Sequence, residues 1–214
     1  MAELSTAACY LPADPSELSL GEVRKRARQC KACPLYKIGT QTVFGEGPKH
    51  ARIVMIGEQP GDQEDKAGRP FVGPAGRLLD DALVAAGIDR TDVYVTNAVK
   101  HFKWKPVGKR RLHQKPSARE IAACNPWLQA ELKLLKPAVT VALGATAAQA
   151  LMGPDFRVTH DRGRPFSVPW SKVFFATVHP SSILRGPPAD REAGFKLLVA
   201  DLKKVVAHKA FRRG

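Results

Sequence analysis

No apolar run in this chain approaches the roughly 20 residues that a helical membrane span requires, and no membrane partner is expected. Its opening stretch, MAELSTAACYLPADPSEL, carries acidic residues and no charged-then-apolar pattern, so a cytoplasmic location is expected rather than secretion. Cysteine is scarce: four in 214 residues. In a chain of this kind they point to metal or reduced thiols rather than to a disulfide framework. There is no internal repeat and no low-complexity tract, and no obligate protein partner is evident. Acidic residues are also few, 20 against 34 Lys and Arg, giving a net charge of +14 and a pI of about 9.9. That excess favours nucleic acid as a partner over acidic small substrates, with a basic membrane-surface protein as the weaker alternative.

The shortage of acid is sharpest between Ala98 and Arg119. That stretch, AVKHFKWKPVGKRRLHQKPSAR, has no Asp or Glu, eight Lys or Arg, and two histidines, His101 and His113. Pro106 and Gly108 break any helix, so an exposed loop is expected over about residues 100–116. Such a loop repels itself unless it meets a polyanion.

The chain is long enough for one well-buried domain, expected over residues 16–214 behind a flexible leader of residues 1–15. Ser19 and Glu22 have capping-box spacing ahead of a helix, and Ser117 and Glu120 repeat it ahead of a longer one reaching about Leu135. ARIVMIG, DVYVTNAV, AVTVALG and KVFFATVHP read as four buried strands. PAGRLLDDALVAAG and ATAAQALMG read as helices between them, and PADREAGFKLLVADLKKVVAHKA as a closing amphipathic helix. Alternating strands and helices imply a three-layer αβα sandwich around a mostly parallel four-stranded sheet. Ligands of such sheets bind at the carboxyl ends of the strands. Here those ends carry the loops GEQPGD, TNAVKH and VHPSS, and the basic stretch springs from the second.

Several residues near those ends carry chemistry. Cys30 and Cys33 form CxxC after a helix, with Cys124 far downstream; three cysteines and His101 would complete a four-ligand site for zinc or an iron–sulfur cluster. The plain alternative is a buried Cys124 and a phosphate-contacting His101. Glu58 and Phe71, in a loop stiffened by Gly-Pro units, fit a pocket for a planar ring, against the alternative of an acidic loop with a core phenylalanine. Asn97 offers a donor and an acceptor to a base edge, or is a turn residue. His179 can donate to a developing oxyanion, or caps the turn SSILR. Arg185 can hold a phosphate.

In order along the chain, CxxC, GEQPG, GRPFVGPAG, TNAVKH and VHPSSILRG together resemble the iron–sulfur uracil-DNA glycosylases of the family-4 type, from about Cys30 to the last helix. KRRLH, Lys109 to His113, resembles the KRRIH insertion of the X-type (UdgX) subgroup, with Leu112 in place of isoleucine. Gln59 resembles the same subgroup, standing where ordinary members usually have a small residue. The resemblance implies a uracil-DNA glycosylase-like fold, a [4Fe-4S] cluster on Cys30, Cys33, His101 and Cys124, and uracil-containing DNA, preferably single-stranded, as substrate. It further implies that Phe71 stacks on the flipped uracil and Asn97 reads its edge. Gln59 shapes the pocket floor, His179 supports the leaving base, and Glu58 stabilises the cationic sugar or orients a partner. Lys109, Arg110, Arg111, Ser181 and Arg185 would contact DNA. His113 would attack the anomeric carbon and leave a covalent protein–DNA adduct. The competing readings are a conventional glycosylase that uses water and turns over, and a non-catalytic DNA-binding protein with a structural metal site. A thiol redox protein is disfavoured, because no strand precedes CxxC.

Overall fold

The structure is a computed structural model, and it describes residues 6–212. Four apolar segments form the parallel strands β1 (Ile53–Gly57), β2 (Val93–Asn97), β5 (Val139–Leu143) and β7 (Ser171–Thr177). A short strand, β6 (Phe166–Val168), adds antiparallel to β7, so the sheet has five strands in the order β2-β1-β5-β7-β6 rather than the four expected. The remaining strands, β3 (Trp104–Val107) and β4 (Arg110–His113), pair antiparallel as a separate hairpin. The helices are α1 (Leu20–Ala27), α2 (Asp62–Ala67), α3 (Pro74–Ala86), α4 (Ala118–Leu135), α5 (Ala145–Met152), α6 (Val158–Asp161), α7 (Pro180–Arg185), α8 (Arg191–Ala207) and α9 (Lys209–Arg212).

Period-two alternation decides the layers. Ile53, Met55, Val93, Val95, Val139, Val141, Val173 and Phe175 pack with Leu79 and Leu83 of α3 and Leu198 and Leu202 of α8. Their neighbours Val54, Ile56, Tyr94, Ala142, Phe174 and Ala176 pack with Leu128 and Leu132 of α4 and Ala147 and Ala148 of α5. Both faces are therefore covered, which is why the strands read as continuous apolar runs. A third cluster gathers Cys30, Cys33 and Cys124 with Val23, Ala27 and Trp127 between α1 and α4.

Both capping boxes form: the Ser19 and Ser117 hydroxyls accept from Glu22 N and Glu120 N, and each glutamate returns a bond to its serine N–H. The flexible leader expected up to Pro15 is, in its described part, a docked segment. Ala7 is buried, the Tyr10 ring lies 6.0 Å from Trp127, and the Tyr10 hydroxyl accepts from Lys31 N. Residues 1–5 lie outside the described residues.

The basic stretch is not the open loop expected. Gly108, with φ 57°, and Lys109 make a two-residue turn, with the left-handed position falling on the residue that tolerates it. An isolated two-stranded ribbon is marginal in water, so docking must hold it. The Gln59 amide supplies three bonds at its base: Nε2 donates to Lys103 O and Gln114 O, and Oε1 accepts from Lys103 N. Trp104 Nε1 donates to Ile38 O at 2.7 Å. The Arg111 guanidinium reaches Asp62 and Asp65 of α2 at 2.5 and 2.6 Å and lies 5.4 Å from the rings of both Phe102 and Trp104.

Candidate active site

The order β2-β1-β5-β7 reverses its direction of growth between β1 and β5, and a crevice opens at such a point. A cavity of about 800 Å³ lies there. Its walls come from the residues just past all four parallel strands: Glu58 and Gln59, Asn97, Gly144 and Thr146, and His179. Three of these loops were expected to meet; the fourth, after β5, brings Thr146. Its hydroxyl donates to Glu58 Oε2 at 2.5 Å, so one carboxylate oxygen is fixed across the switch point.

The other oxygen faces the hairpin. His113 ends β4, opposite Trp104, and its Nε2 lies 3.3 Å from Glu58 Oε1. The imidazole is 6.0 Å from the Phe102 ring and lines the cavity. Burial lowers the His113 pKa below its usual value; the Glu58 charge opposes that shift and Arg185 adds to it. Neutral imidazole, the nucleophilic form, therefore predominates at neutral pH.

Asn97 is 3% exposed, and its side chain is part of the cavity wall. An asparagine amide there offers both a donor and an acceptor to whatever enters the cavity. Gly57, beside it, has no Cβ; one built there would meet Asn97 Oδ1 and lie 2.8 Å from Phe71 Cζ. The missing side chain is what lets the amide and the ring converge. Phe71 itself has φ 57°, a left-handed conformation that costs about 1–3 kcal/mol in a non-glycine residue. Its loop is held in that shape by Glu64, whose two carboxylate oxygens accept from Gly61 N and Gly73 N.

His179 forms the opposite wall. Its ring is nearly parallel to that of Phe71, at 24° with centroids 6.3 Å apart. Nδ1 accepts from the Ser181 backbone N–H at 3.0 Å and lies 2.8 Å from the Ser181 hydroxyl. A backbone N–H can only donate, so the ring proton of neutral His179 sits on Nε2. Burial, with smaller contributions from Arg185 and His113, lowers its pKa to about 4. The group is thus a neutral donor into the cavity at physiological pH.

The remaining site residues divide. Lys109, Arg110 and Arg185 are exposed and free to meet DNA. Arg111, expected on DNA, is spent on Asp62 and Asp65 and anchors the hairpin instead. Ser181 is committed to orienting His179. Gln59 lines the cavity, but its amide is consumed by the hairpin backbone rather than offered to a base. Lys100, one of the eight cations of the basic stretch, is buried and paired with Glu131, Thr96 and the Asn97 carbonyl.

Cys30, Cys33 and Cys124 are buried free thiols within one cluster. Burial raises Cys33 above its usual value and pushes Cys124 up to about 12, and Cys124 Sγ accepts from Lys100 N at 3.2 Å. His101 is buried at the root of the hairpin. Its Nε2 lies 3.0 Å from Thr42 Oγ1, and burial lowers its pKa to about 4. Among the described residues no three such side chains converge closely enough to hold a single metal ion.

The comparisons with known proteins decide the family. Residues 44–203 match the uracil DNA glycosylase superfamily model. The chain belongs to the uracil-DNA glycosylase superfamily. It is 44% identical over 164 residues to a type-4 uracil-DNA glycosylase of Thermotoga maritima, covering 76% of this chain and 82% of that one. It is 34% identical over 194 residues to a type-4 uracil-DNA glycosylase of Archaeoglobus fulgidus, covering 87% and 92%. A type-5 uracil-DNA glycosylase of Thermus thermophilus is 34% identical over a shorter stretch, 61% of this chain. Thr146, Asp62, Asp65 and Glu64 are supporting residues that motif reading passed over. Thr146 stands two residues after the glycine that follows β5, and the acidic residues Asp62, Glu64 and Asp65 lie on the helix that meets the basic stretch; charge complementarity between the two was the available signal.

Proposed function

We propose that this chain is a uracil-DNA glycosylase of the X-type subgroup that captures its substrate covalently through His113. The observation that carries this reading is the His113 imidazole, 3.3 Å from the Glu58 carboxylate, at the mouth of a cavity that Asn97 also lines. A flipped uracil stacks on Phe71, and Asn97 pairs with its edge. As the glycosidic bond breaks, its electron pair leaves with uracil, and the Nε2 proton of His179 hydrogen-bonds the developing anion. The sugar becomes an oxocarbenium ion that the Glu58 carboxylate stabilises. With its proton on Nδ1, His113 presents an Nε2 lone pair that forms the new bond to the anomeric carbon. Loss of the Nδ1 proton to water leaves a neutral adduct. Proximity supplies most of the advantage over water, because the imidazole is already held beside the reacting carbon.

The donor set also supports a [4Fe-4S] cluster on Cys30, Cys33, Cys124 and His101. Soft thiolates with one imidazole suit such a centre, and a polynuclear cluster spreads its ligands more widely than a single ion does. Because Nε2 lies against Thr42, Nδ1 would be the His101 nitrogen left for iron. These residues would tie α1, α4 and the hairpin root together, a bracing role rather than a redox one.

The test is to mix the protein with an oligonucleotide bearing one uracil, boil in SDS and run a denaturing gel. A retarded band that survives boiling and is lost in His113→Ala is the expected result. Free abasic DNA released over many turnovers would instead identify a water-using glycosylase, and unchanged DNA a simple binding protein.

A further inference from the structure

The hairpin that carries His113 has two faces, and only one of them belongs to the active site. The register Trp104↔His113 and Pro106↔Arg111 puts those four residues on the inward face. The register Lys105↔Leu112 and Val107↔Arg110 puts the other four on the outward face. All four outward residues are exposed, and Val107 and Leu112, at 51% and 48%, are two of the four large hydrophobic residues that the described chain leaves in solvent. They form a checkerboard: each cross-strand pair joins one cation and one aliphatic side chain. The two cations therefore lie on one diagonal, about 7–8 Å apart, and the two aliphatic groups on the other.

We infer that this outward face is a binding surface for the unpaired DNA strand flanking the uracil, with Lys105 and Arg110 on phosphates and Val107 and Leu112 against unstacked bases. It rests on the reading of His113 as the residue that meets uracil-containing DNA. Charge identifies the partner as a polyanion, since the whole stretch from Ala98 to Arg119 contains no carboxylate. The aliphatic pair selects the form of that polyanion. A duplex keeps its base faces stacked and shielded, so Val107 and Leu112 would gain less there. An unpaired strand exposes base faces, and burying apolar side chains against them is favourable. Inward Arg111 is held by Asp62 and Asp65, so the outward residues can bear the pull of the strand without displacing His113.

The experiment measures reversible binding to a thymidylate oligonucleotide without uracil, single-stranded and in duplex, across a range of salt. Lys105→Gln with Arg110→Gln should lower the slope of log affinity against log salt by about 0.7 per lost phosphate contact, hence about 1.4, and weaken single-strand binding about tenfold at physiological salt. Val107→Ser with Leu112→Ser should weaken single-strand binding severalfold, leave the salt slope unaltered and leave duplex affinity unaltered. Because all four positions are exposed, both variants should melt as the parent does, which the thermal transition checks. Unchanged slope and unchanged single-strand affinity would overturn the inference and leave the face for a protein partner. Equal losses on duplex and single strand would overturn the assignment to unpaired DNA. A parent protein that forms no uracil-dependent adduct would sink the His113 mechanism instead, while these uracil-free isotherms would still decide the surface.

Discussion

His113 and His179 are both neutral at physiological pH, for related reasons and with different consequences. Each loses solvation as it enters the cavity wall, and each feels Arg185 as a nearby positive charge. In the proposed reaction His113 needs neutrality to keep a lone pair, and His179 needs it so that Nδ1 can accept from Ser181 while Nε2 would donate to the leaving base. The sign of the pH dependence follows. Protonation disables either residue, and both fall below the usual histidine value, His179 to about 4. The rate of adduct formation at saturating DNA should therefore stay flat as pH falls through about 6.5, the value of a free imidazole, and decline only below it. A rate profile measured by quenching into SDS checks this. A half-maximal rate at or above that value would mean that His113 titrates as a solvated side chain, and the geometry around Glu58 would then not describe the reacting state.

The hairpin is the element on which this chemistry turns, and it is fastened by side chains rather than by sheet. Arg111 is its principal strut: a planar fork on two carboxylates, stacked near two aromatic rings. Lysine keeps the charge but lacks the fork and the stacking surface. Arg111→Lys should therefore lower the rate of covalent capture by about ten- to a hundredfold, since a displacement of about 1 Å at a reacting group costs on that order. Affinity for uracil-free DNA should barely change. Parallel rate and binding measurements separate this from a lost phosphate contact, which would weaken binding and spare the rate. That role was hidden in the sequence. The four parallel strands were legible because burial on both faces makes them unbroken apolar runs, and α1 and α4 because Ser19, Glu22, Ser117 and Glu120 mark their starts. The hairpin was not legible: composition shows only a dense cationic segment, and Pro106 and Gly108 read as breakers although Gly108 makes a two-residue turn. Whether a given arginine faces DNA or Asp65 depends on register. KRRLH alternates between the two faces, and a linear reading assigns all its cations to DNA. Gln59 is similar: its position marks it as special, but its partners are backbone atoms at Lys103 and Gln114 that only the fold brings near.

Across the whole molecule, the same excess of positive charge works on folding and on binding with opposite signs. A net +14 on 214 residues repels itself in the compact state, and bound DNA relieves that repulsion. The anchored pairs do not cancel it. Arg111 with Asp62 and Asp65, Lys100 with Glu131, and Arg162 with Asp201 use carboxylates inside the structure, leaving Lys105, Lys109 and Arg110 on the hairpin and Arg185 at the cavity without a salt-bridge partner among the described residues. Between about 0.1 M and about 1 M salt the Debye length shrinks from about 10 Å to about 3 Å, which screens the surface charges and leaves the buried pairs largely untouched. Raising sodium chloride over that range should raise the melting temperature of the free protein by a few degrees while lowering its affinity for DNA by orders of magnitude. Chloride is the proper anion here, because sulfate stabilises most proteins through surface exclusion. Calorimetry and fluorescence anisotropy on the same samples test both arms. A melting temperature that falls with salt would mean that exposed ion pairs, such as Arg69–Glu46 and Lys66–Asp62, outweigh the net repulsion, and that the basic surface carries no cost in the free protein.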